Sequence, residues 1–227
     1  MSDVKQPSDA DQAKNGLLVV NKLNYTLPSD LCVCVSRTHT SQHFQQREHS
    51  AGSTAVCLLN SGSAYIDGRR SFLVVDILNE STGHVSFGKL EADGTQIQAG
   101  SAANIFQRIS LLSRSGSVLE RIDDVAKLCQ IKTEFMYDKA YSETVMQSAG
   151  WNMEETWDTG EVKRFVLPMS LFSGLFEYDK LLPASLMSGL RKEFQLASAS
   201  DALVGALDAH TLGYKVMNMR IEWKVIY

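Results

Sequence analysis

The chain has 227 residues, of which 44% are hydrophobic and 21% are charged, and its formal net charge is −4. This composition is typical of a folded globular protein and excludes bulk disorder. The mild acidity provides no basic footprint for phosphate binding, so we expect no direct sequence-specific contact with nucleic acid. No apolar run is long enough to cross a bilayer, so we also expect no membrane span.

Residues 1–16 are polar and are predicted to form a flexible N-terminal arm, with residues 17–227 as one domain. Short runs rich in Val, Leu, Phe and Cys then recur, separated by turn signals of Asn, Asp, Gly and Ser. Repeated strands without helices between them favour a sandwich or a barrel over alternating strand–helix units. The predicted strands are GLLVV, DLCVCV, TAVCLLN, SFLVVDIL, HVSFGKL and residues 103–112.

The middle of the chain has a different pattern. Ser117 to Glu120 matches a helix capping box, and the apolar positions that follow, as far as Cys129, have helical spacing. This pattern predicts a helix that begins near Ser117. Two shorter helices are predicted over residues 138–149 and 200–209.

The C-terminal run KVMNMRIEWKVIY alternates between apolar and polar residues. A period of two is typical of a half-buried strand, so this run is the clearest strand prediction in the chain. The side chains predicted to face the core are Met217, Met219, Ile221, Trp223, Val225 and Tyr227.

An apolar stretch over residues 165–196 is interrupted by Pro168 and Pro183. Proline breaks both helices and sheet ladders, so an uninterrupted helix is excluded here. So much apolar surface in a connection must be covered by the chain's own core or by a neighbouring subunit. We predict subunit-interface residues in this stretch, with the two aromatic residues as anchors: Phe172, Phe176, Leu182 and Met187.

No strong catalytic motif is present. The segment from Gly83 to Lys89 has the spacing of a phosphate-binding loop, but Leu90 stands where a hydroxyl is needed. His39 and His43 have metal-ligand spacing only if they lie on a helix, and they lack the adjacent glutamate. We therefore expect no enzyme activity, no metal and no cofactor. A third candidate function is a cupin-like metal enzyme on the same fold, which would need histidines clustered on neighbouring strands.

Trp151 and Trp157 flank an acidic loop, WNMEETW. Paired aromatic side chains on a β-sandwich can bind sugars by stacking, so the alternative function is a lectin-like carbohydrate-binding module. The structural interpretation is that both aromatic side chains pack the loop onto the sheet, because aromatic residues dominate core burial.

Four segments, in this order, resemble the double jelly-roll major capsid proteins of the adenovirus, tectivirus, Polinton-like and nucleocytoplasmic large DNA virus lineage. The resemblance covers residues 51–227, and the order and spacing agree with the N-terminal jelly roll of such a protein. The segments are SGSAYIDGRRSFLVVDI (61–77), ANIFQRISLLSRSGSVLERIDD (103–124), LPMSLFSGLFEYDKLLPASLMSGLRKEFQL (167–196) and YKVMNMRIEW (214–223).

The resemblance implies an all-β fold, a jelly-roll β-sandwich of two antiparallel sheets with short helical insertions. It implies a structural protein that self-assembles, as a homotrimeric capsomer and with other capsid proteins, into an icosahedral shell. Its location would be the virion, after synthesis in the host-cell cytoplasm. A chain of 227 residues holds one sandwich, so it is either the first half of a double jelly roll or a complete single roll.

Overall fold

The structure is a computed structural model in which strands predominate. The predicted N-terminal arm and the predicted strands GLLVV and DLCVCV lie outside the residues that it describes. The described residues are 36–59, 64–87, 89–90, 96–98, 100–151, 156–205 and 211–226.

Strands and short helices alternate irregularly along the described residues. The strands are β1 (Arg37–His43), β2 (Glu48–Ser50), β3 (Thr54–Leu59), β4 (Tyr65–Asn79), β5 (Val85–Ser86), β6 (Lys89–Leu90), β7 (Gln96–Gln98), β8 (Phe106–Leu112), β9 (Val118–Asp123), β10 (Val162–Pro168), β11 (Leu182–Pro183), β12 (Leu190–Leu196), β13 (Val204–Gly205) and β14 (Tyr214–Ile226). The helices are α1 (Val125–Ile131), which continues as a π-helical turn (Lys132–Met136), α2 (Lys139–Ser148), α3 (Gly174–Glu177), α4 (Ala184–Met187) and α5 (Ala199–Ala202), with 3-10 turns at Ala102–Ile105 and Met169–Leu171.

Eight of the strands form two antiparallel layers. The first layer has the order β1-β14-β4-β10, with β2 and β11 paired to β14 and β4, and the second has the order β3-β12-β8-β9. If these eight strands alone are renumbered from 1 to 8 in chain order, the order in the first layer is 1-8-3-6 and the order in the second is 2-7-4-5. This order is that of a jelly roll, so the predicted fold class is confirmed.

Aromatic side chains fill the space between the two layers. The ring of Phe194 in β12 lies 5.5 Å from that of Phe44 and 5.3 Å from that of Phe106. Phe172 lies 5.7 Å from Phe106 in an edge-to-face arrangement. Such contacts add to the free energy gained by burying the rings, and they fix how the layers pack.

The predicted C-terminal strand is confirmed as β14, but its alternation is interrupted, and Tyr227 lies outside the described residues. Asn218 has a φ of 50°, and the pairing with β4 shifts register between Met217 and Arg220. This bulge places two consecutive side chains away from the core. Val216 and Met219 are buried and Met217 is not, so the prediction that Met217 faces the core was wrong.

The helix predicted to begin near Ser117 begins later. Val118–Asp123 form the strand β9 and pair with β8, and α1 begins at Val125, after Asp124, which has a φ of 54°. Pairing with an adjacent strand outweighs the helical spacing of these apolar residues, because strand formation depends on neighbouring strands.

The other two helix predictions differ in outcome. The helix over residues 138–149 is confirmed as α2, and the side chain of Asp138 caps it by accepting a hydrogen bond from the Tyr141 amide at 2.7 Å. The prediction of a helix over residues 200–209 was wrong at residues 203–205, because the chain leaves the short α5 at Leu203 and then pairs with β5. Residues 206–209 lie outside the described residues.

Candidate assembly surfaces

The apolar connection between β10 and β12 packs against β4. Phe172 and Phe176 have no exposed surface, and Met187 is 2% exposed. Leu182 is half-buried and pairs with Ile66 of β4. The chain's own core therefore covers three of the four predicted interface side chains. This corrects their proposed role as anchors, because a buried ring cannot reach a neighbouring subunit.

A buried ion pair holds this connection in place. Lys192 of β12 points inward with no exposed surface, and its Nζ lies 3.5 Å from Oε2 of Glu120 on β9. The same Nζ donates to the Phe172 carbonyl at 3.3 Å. Glu120 also accepts hydrogen bonds from the Ser173 hydroxyl and, at 2.6 Å, from the Gly174 amide. Burial lowers the pKa of Lys192 to about 8, against the opposing effect of Glu120.

A second ion pair ties the connection to the turn that follows α1. Nζ of Lys132 lies 2.9 Å from Oε2 of Glu177 and donates to the Ser170 carbonyl at 3.0 Å. Arg69 of β4 donates from Nε to the Glu177 carbonyl at 3.1 Å. The π-helical turn, α3 and β4 are therefore neighbours.

Trp151 and Trp157 are interior residues. Trp157 has no exposed surface and Trp151 is 7% exposed. The ring of Trp157 lies 5.0 Å from Phe87 and 6.1 Å from Phe165. Neither ring can stack on a sugar in this conformation. The lectin-like alternative therefore loses the two side chains on which it depended, and packing accounts for both.

Exposed apolar side chains stand close in sequence to Lys132 and Glu177, whose ion pair brings the two segments together. Phe135 is the most exposed of them, at 79%, and each of the others exposes more than half of its surface. Large apolar side chains concentrated at one place are a mark of an interaction surface. We call this group the helix patch, and its members are Ile131, Phe135, Met136 and Tyr178.

A second apolar group lies on the outer face of the β3-β12-β8-β9 layer. Lys192 and Phe194 of β12 point inward, so Arg191 and Glu193 point outward. Arg191 is directly opposite both Leu58 of β3 and Leu112 of β8, and Leu112 is directly opposite Val118 of β9. Leu58 and Val118 are about half exposed, at 47% and 57%. One row of this face is therefore apolar apart from a single arginine.

Arginines line the rest of this outer face. Arg108 and Arg121 both bind Asp123, with Arg121 Nε 3.0 Å from Oδ2. Hydrogen bonds from Arg108 and then Arg121 lower the pKa of Asp123. Arg191 Nε lies 2.8 Å from Glu193. We call this surface the arginine face. Its outward residues are Thr54, Val56, Leu58, Arg108, Ser110, Leu112, Val118, Arg121, Asp123, Arg191, Glu193 and Gln195.

The outer face of the other layer contains a polar network that joins three strands. Asp76 of β4 accepts hydrogen bonds from Arg164 of β10, at 2.6 Å from Nε and 3.0 Å from Nη2, and from Asn218 of β14 at 3.1 Å. The Arg164 hydrogen bond is the main reason that the pKa of Asp76 is lowered. This network holds the bulge of β14 against its neighbours, so its role is structural.

The histidines considered as metal ligands lie on a strand. His39 and His43 are exposed residues of β1, which pairs with β14. Within the described ranges, no three His, Cys, Asp or Glu side chains are grouped so that they could hold a metal ion. Among the same residues, no helix is long and apolar enough to cross a membrane.

The most informative comparisons are with solved structures, since no protein-family model and no curated protein sequence matches the chain. The first of these comparisons shows a fold shared over most of the chain. It is similar to VP54 of PBCV-1, known from a crystal structure fitted into a cryo-EM reconstruction of the virophage Sputnik. That match has a TM-score of 0.55 and 14% sequence identity, and it covers 90% of this chain and 45% of VP54.

A second match is to a chain from the atomic structure of Sulfolobus Turreted Icosahedral Virus. It has a TM-score of 0.37 and 13% identity, and it covers 83% of this chain and 45% of the other. The chain therefore spans less than half the length of each of these two chains. At the identity of the VP54 match, the likeness shows the fold.

Two features of these surfaces escaped the sequence predictions. Lys192 occupies an inward position of β12, two residues after Leu190 and two before Phe194. The period of two in this run was the available signal that the lysine is buried. Phe135 and Met136 follow α1 in a π-helical turn that exposes both. No sequence signal distinguishes them from core residues.

Proposed function

We propose that this chain is a structural subunit of a viral capsid, a major capsid protein whose copies assemble into an icosahedral shell. The observation that supports this best is the strand order of the two layers, together with the likeness to VP54 over 90% of the chain. A jelly roll alone serves many functions, so the proposal also depends on what the surfaces offer.

The surfaces favour binding to other proteins. The described residues leave large apolar side chains exposed at the helix patch and on the arginine face. Exposed apolar groups of this kind, bordered by charged residues, are typical of protein–protein contacts. A depression on the arginine face is lined mainly by polar and charged side chains, unlike the mostly apolar lining of a small-molecule site.

The proposed partners are further copies of the same chain, in a homotrimeric capsomer, and other capsid proteins. The proposed location is the virion, and synthesis in the host-cell cytoplasm stays a prediction. Because the chain spans 45% of VP54, we also propose that it corresponds to one of the two rolls of a double jelly roll.

Sedimentation velocity of the purified full chain over a range of concentrations tests this function. We expect a discrete oligomer, with the mass of three copies, to grow at the expense of the monomer. A protein that stays monomeric at every soluble concentration would contradict the proposal. Binding to a glycan array, lost in Trp151→Ala, would favour the carbohydrate-binding alternative.

A further inference from the structure

We propose that the helix patch of one copy docks on the arginine face of a second copy. This inference rests on the proposed function and names the two surfaces that meet. The contact joins two different surfaces, so successive copies associate head to tail, which closes into a ring when the rotation between copies allows it.

The helix patch is apolar with an acidic border. Phe135 is the most exposed of its side chains, with Ile131 one turn before it. Two exposed carboxylates flank the apolar residues in sequence, because Glu134 precedes Phe135 and Asp179 follows Tyr178. Lys180 follows Asp179, and Glu177 is paired with Lys132, so among these five charged residues the carboxylates outnumber the lysines by one.

The arginine face has the opposite charge balance. Its strands present three outward arginines, Arg108, Arg121 and Arg191, against Asp123 and Glu193. Arg114 is exposed in the adjoining turn between β8 and β9. Arginine is favoured at protein interfaces because its planar group binds carboxylates and also packs on aromatic rings.

The polarities of the two surfaces are complementary. Leu112 and Val118 line the depression on the arginine face, next to Arg108 and Arg121. An aromatic side chain such as Phe135 would cover these apolar groups, while the arginines around them face the acidic border. Charge complementarity between two surfaces of one chain favours a second copy as the occupant, because every copy supplies both halves of the contact.

Single substitutions at exposed positions test each surface. Phe135→Ser alters the helix patch, and Val118→Ser alters the arginine face. Leu186→Ser is the matched control, since Leu186 is an apolar side chain, 73% exposed, that belongs to neither surface. We expect each of the first two variants to raise the dissociation constant by about tenfold or more, and the control to match the wild type. Met136→Ser and Leu58→Ser replace any variant that fails to fold.

Mixing the two variants gives the decisive measurement. A Val118→Ser copy retains its helix patch and a Phe135→Ser copy retains its arginine face, so one contact per pair can still form. We expect each variant alone to sediment as a monomer and the mixture to form dimers. A mixture that stays monomeric, or variants that associate like the wild type, would overturn the inference and leave the proposed function standing. A monomeric wild-type protein would overturn both.

Discussion

The ammonium group of Lys192 lies 3.5 Å from a carboxylate oxygen of Glu120, although β8 separates their two strands. The lysine has no exposed surface, whereas the glutamate side chain is about a quarter exposed, at 26%. Glu120 also holds Ser173 and Gly174, which follow the buried ring of Phe172. The pair therefore connects the edge strand β9, the inner face of β12 and the connection between β10 and β12.

Loss of the negative charge at Glu120 should destabilise the fold. Glu120→Gln leaves the buried Lys192 ammonium without its counter-charge, and removing one partner of a buried pair costs roughly 3–5 kcal/mol. We expect a smaller loss, of about 2 kcal/mol, because water partly reaches Glu120. Urea unfolding measures it. Adding Lys192→Met to Glu120→Gln should restore most of the loss, and an equal loss in the double variant would contradict this explanation.

The free energy of unfolding should depend on pH through the protonation of Lys192. Burial lowers the pKa of this lysine to about 8 in the folded state, whereas the unfolded chain retains a lysine pKa of about 10.4. Between these values the unfolded state binds more protons than the folded state. The free energy of unfolding contributed by Lys192 therefore rises as pH increases from about 8 towards about 10.

The measurement compares wild-type protein with Lys192→Met across this pH range. The comparison is needed because Cys57 and Cys129 titrate with the opposite sign, since burial raises the pKa of each thiol to about 12. We expect the stability of the wild type relative to the variant to increase with pH. A difference that is constant from about pH 7 to about pH 10 would show that Lys192 keeps an ordinary pKa.

Alanine substitutions at Gly150 and Gly160 distinguish the cost of backbone strain from the cost of steric crowding. Both have a positive φ, of 78° and 79°. A Cβ at Gly150 would lie 2.9 Å from Cε1 of Phe165, whereas a Cβ at Gly160 would meet nothing within 4 Å. We expect Gly160→Ala to cost about 1 kcal/mol for the left-handed conformation. Gly150→Ala should cost about 2 kcal/mol more, because the Phe165 ring must move.

Thermal or urea unfolding of both glycine variants measures the difference. The rings of Phe87 and Phe165 are 5.1 Å apart, so displacement at Gly150 should also change the near-ultraviolet circular dichroism signal. Equal losses of stability in the two variants would contradict the close packing of this aromatic cluster.

Truncation of Phe172 should lower the free energy of unfolding far more than truncation of Phe135. Phe172 is wholly buried and contacts Phe106 and Phe194, so Phe172→Ala should lower the free energy of unfolding by about 3–5 kcal/mol. Phe135→Ser, at an exposed site, should change it by less than about 0.5 kcal/mol. If Phe135→Ser proved as destabilising as Phe172→Ala, Phe135 would have to be a core residue.

The sequence predicted the architecture better than the surfaces. The apolar–polar alternation of β14 and the apolar runs of β3 and β4 are strong signals of strands. Together with the ordered segments that resemble capsid proteins, they led to the prediction of a jelly roll. The start of α1 was placed too early because helical spacing at Val118 and Leu119 cannot reveal that β8 is available as a pairing partner. Strand pairing is a non-local property.

The interface residues were misplaced for a related reason. Apolar composition shows that Phe172 and Phe176 must be covered, but it does not show what covers them. The hydrogen bonds from Glu120 and Lys132 to the connection between β10 and β12 join residues that are distant in sequence. The exposure of Phe135 likewise depends on the π-helical turn, which no local pattern indicated. Surfaces of this kind become visible only when the fold is known.

Electron microscopy of the purified protein, under conditions that promote assembly, tests the proposed capsid function. We expect closed particles or regular capsomers in which each copy contributes one jelly roll, with the helix patch against the arginine face of the next copy. Irregular aggregates in which neighbouring copies have no fixed orientation, or a protein that remains a dispersed monomer, would contradict it.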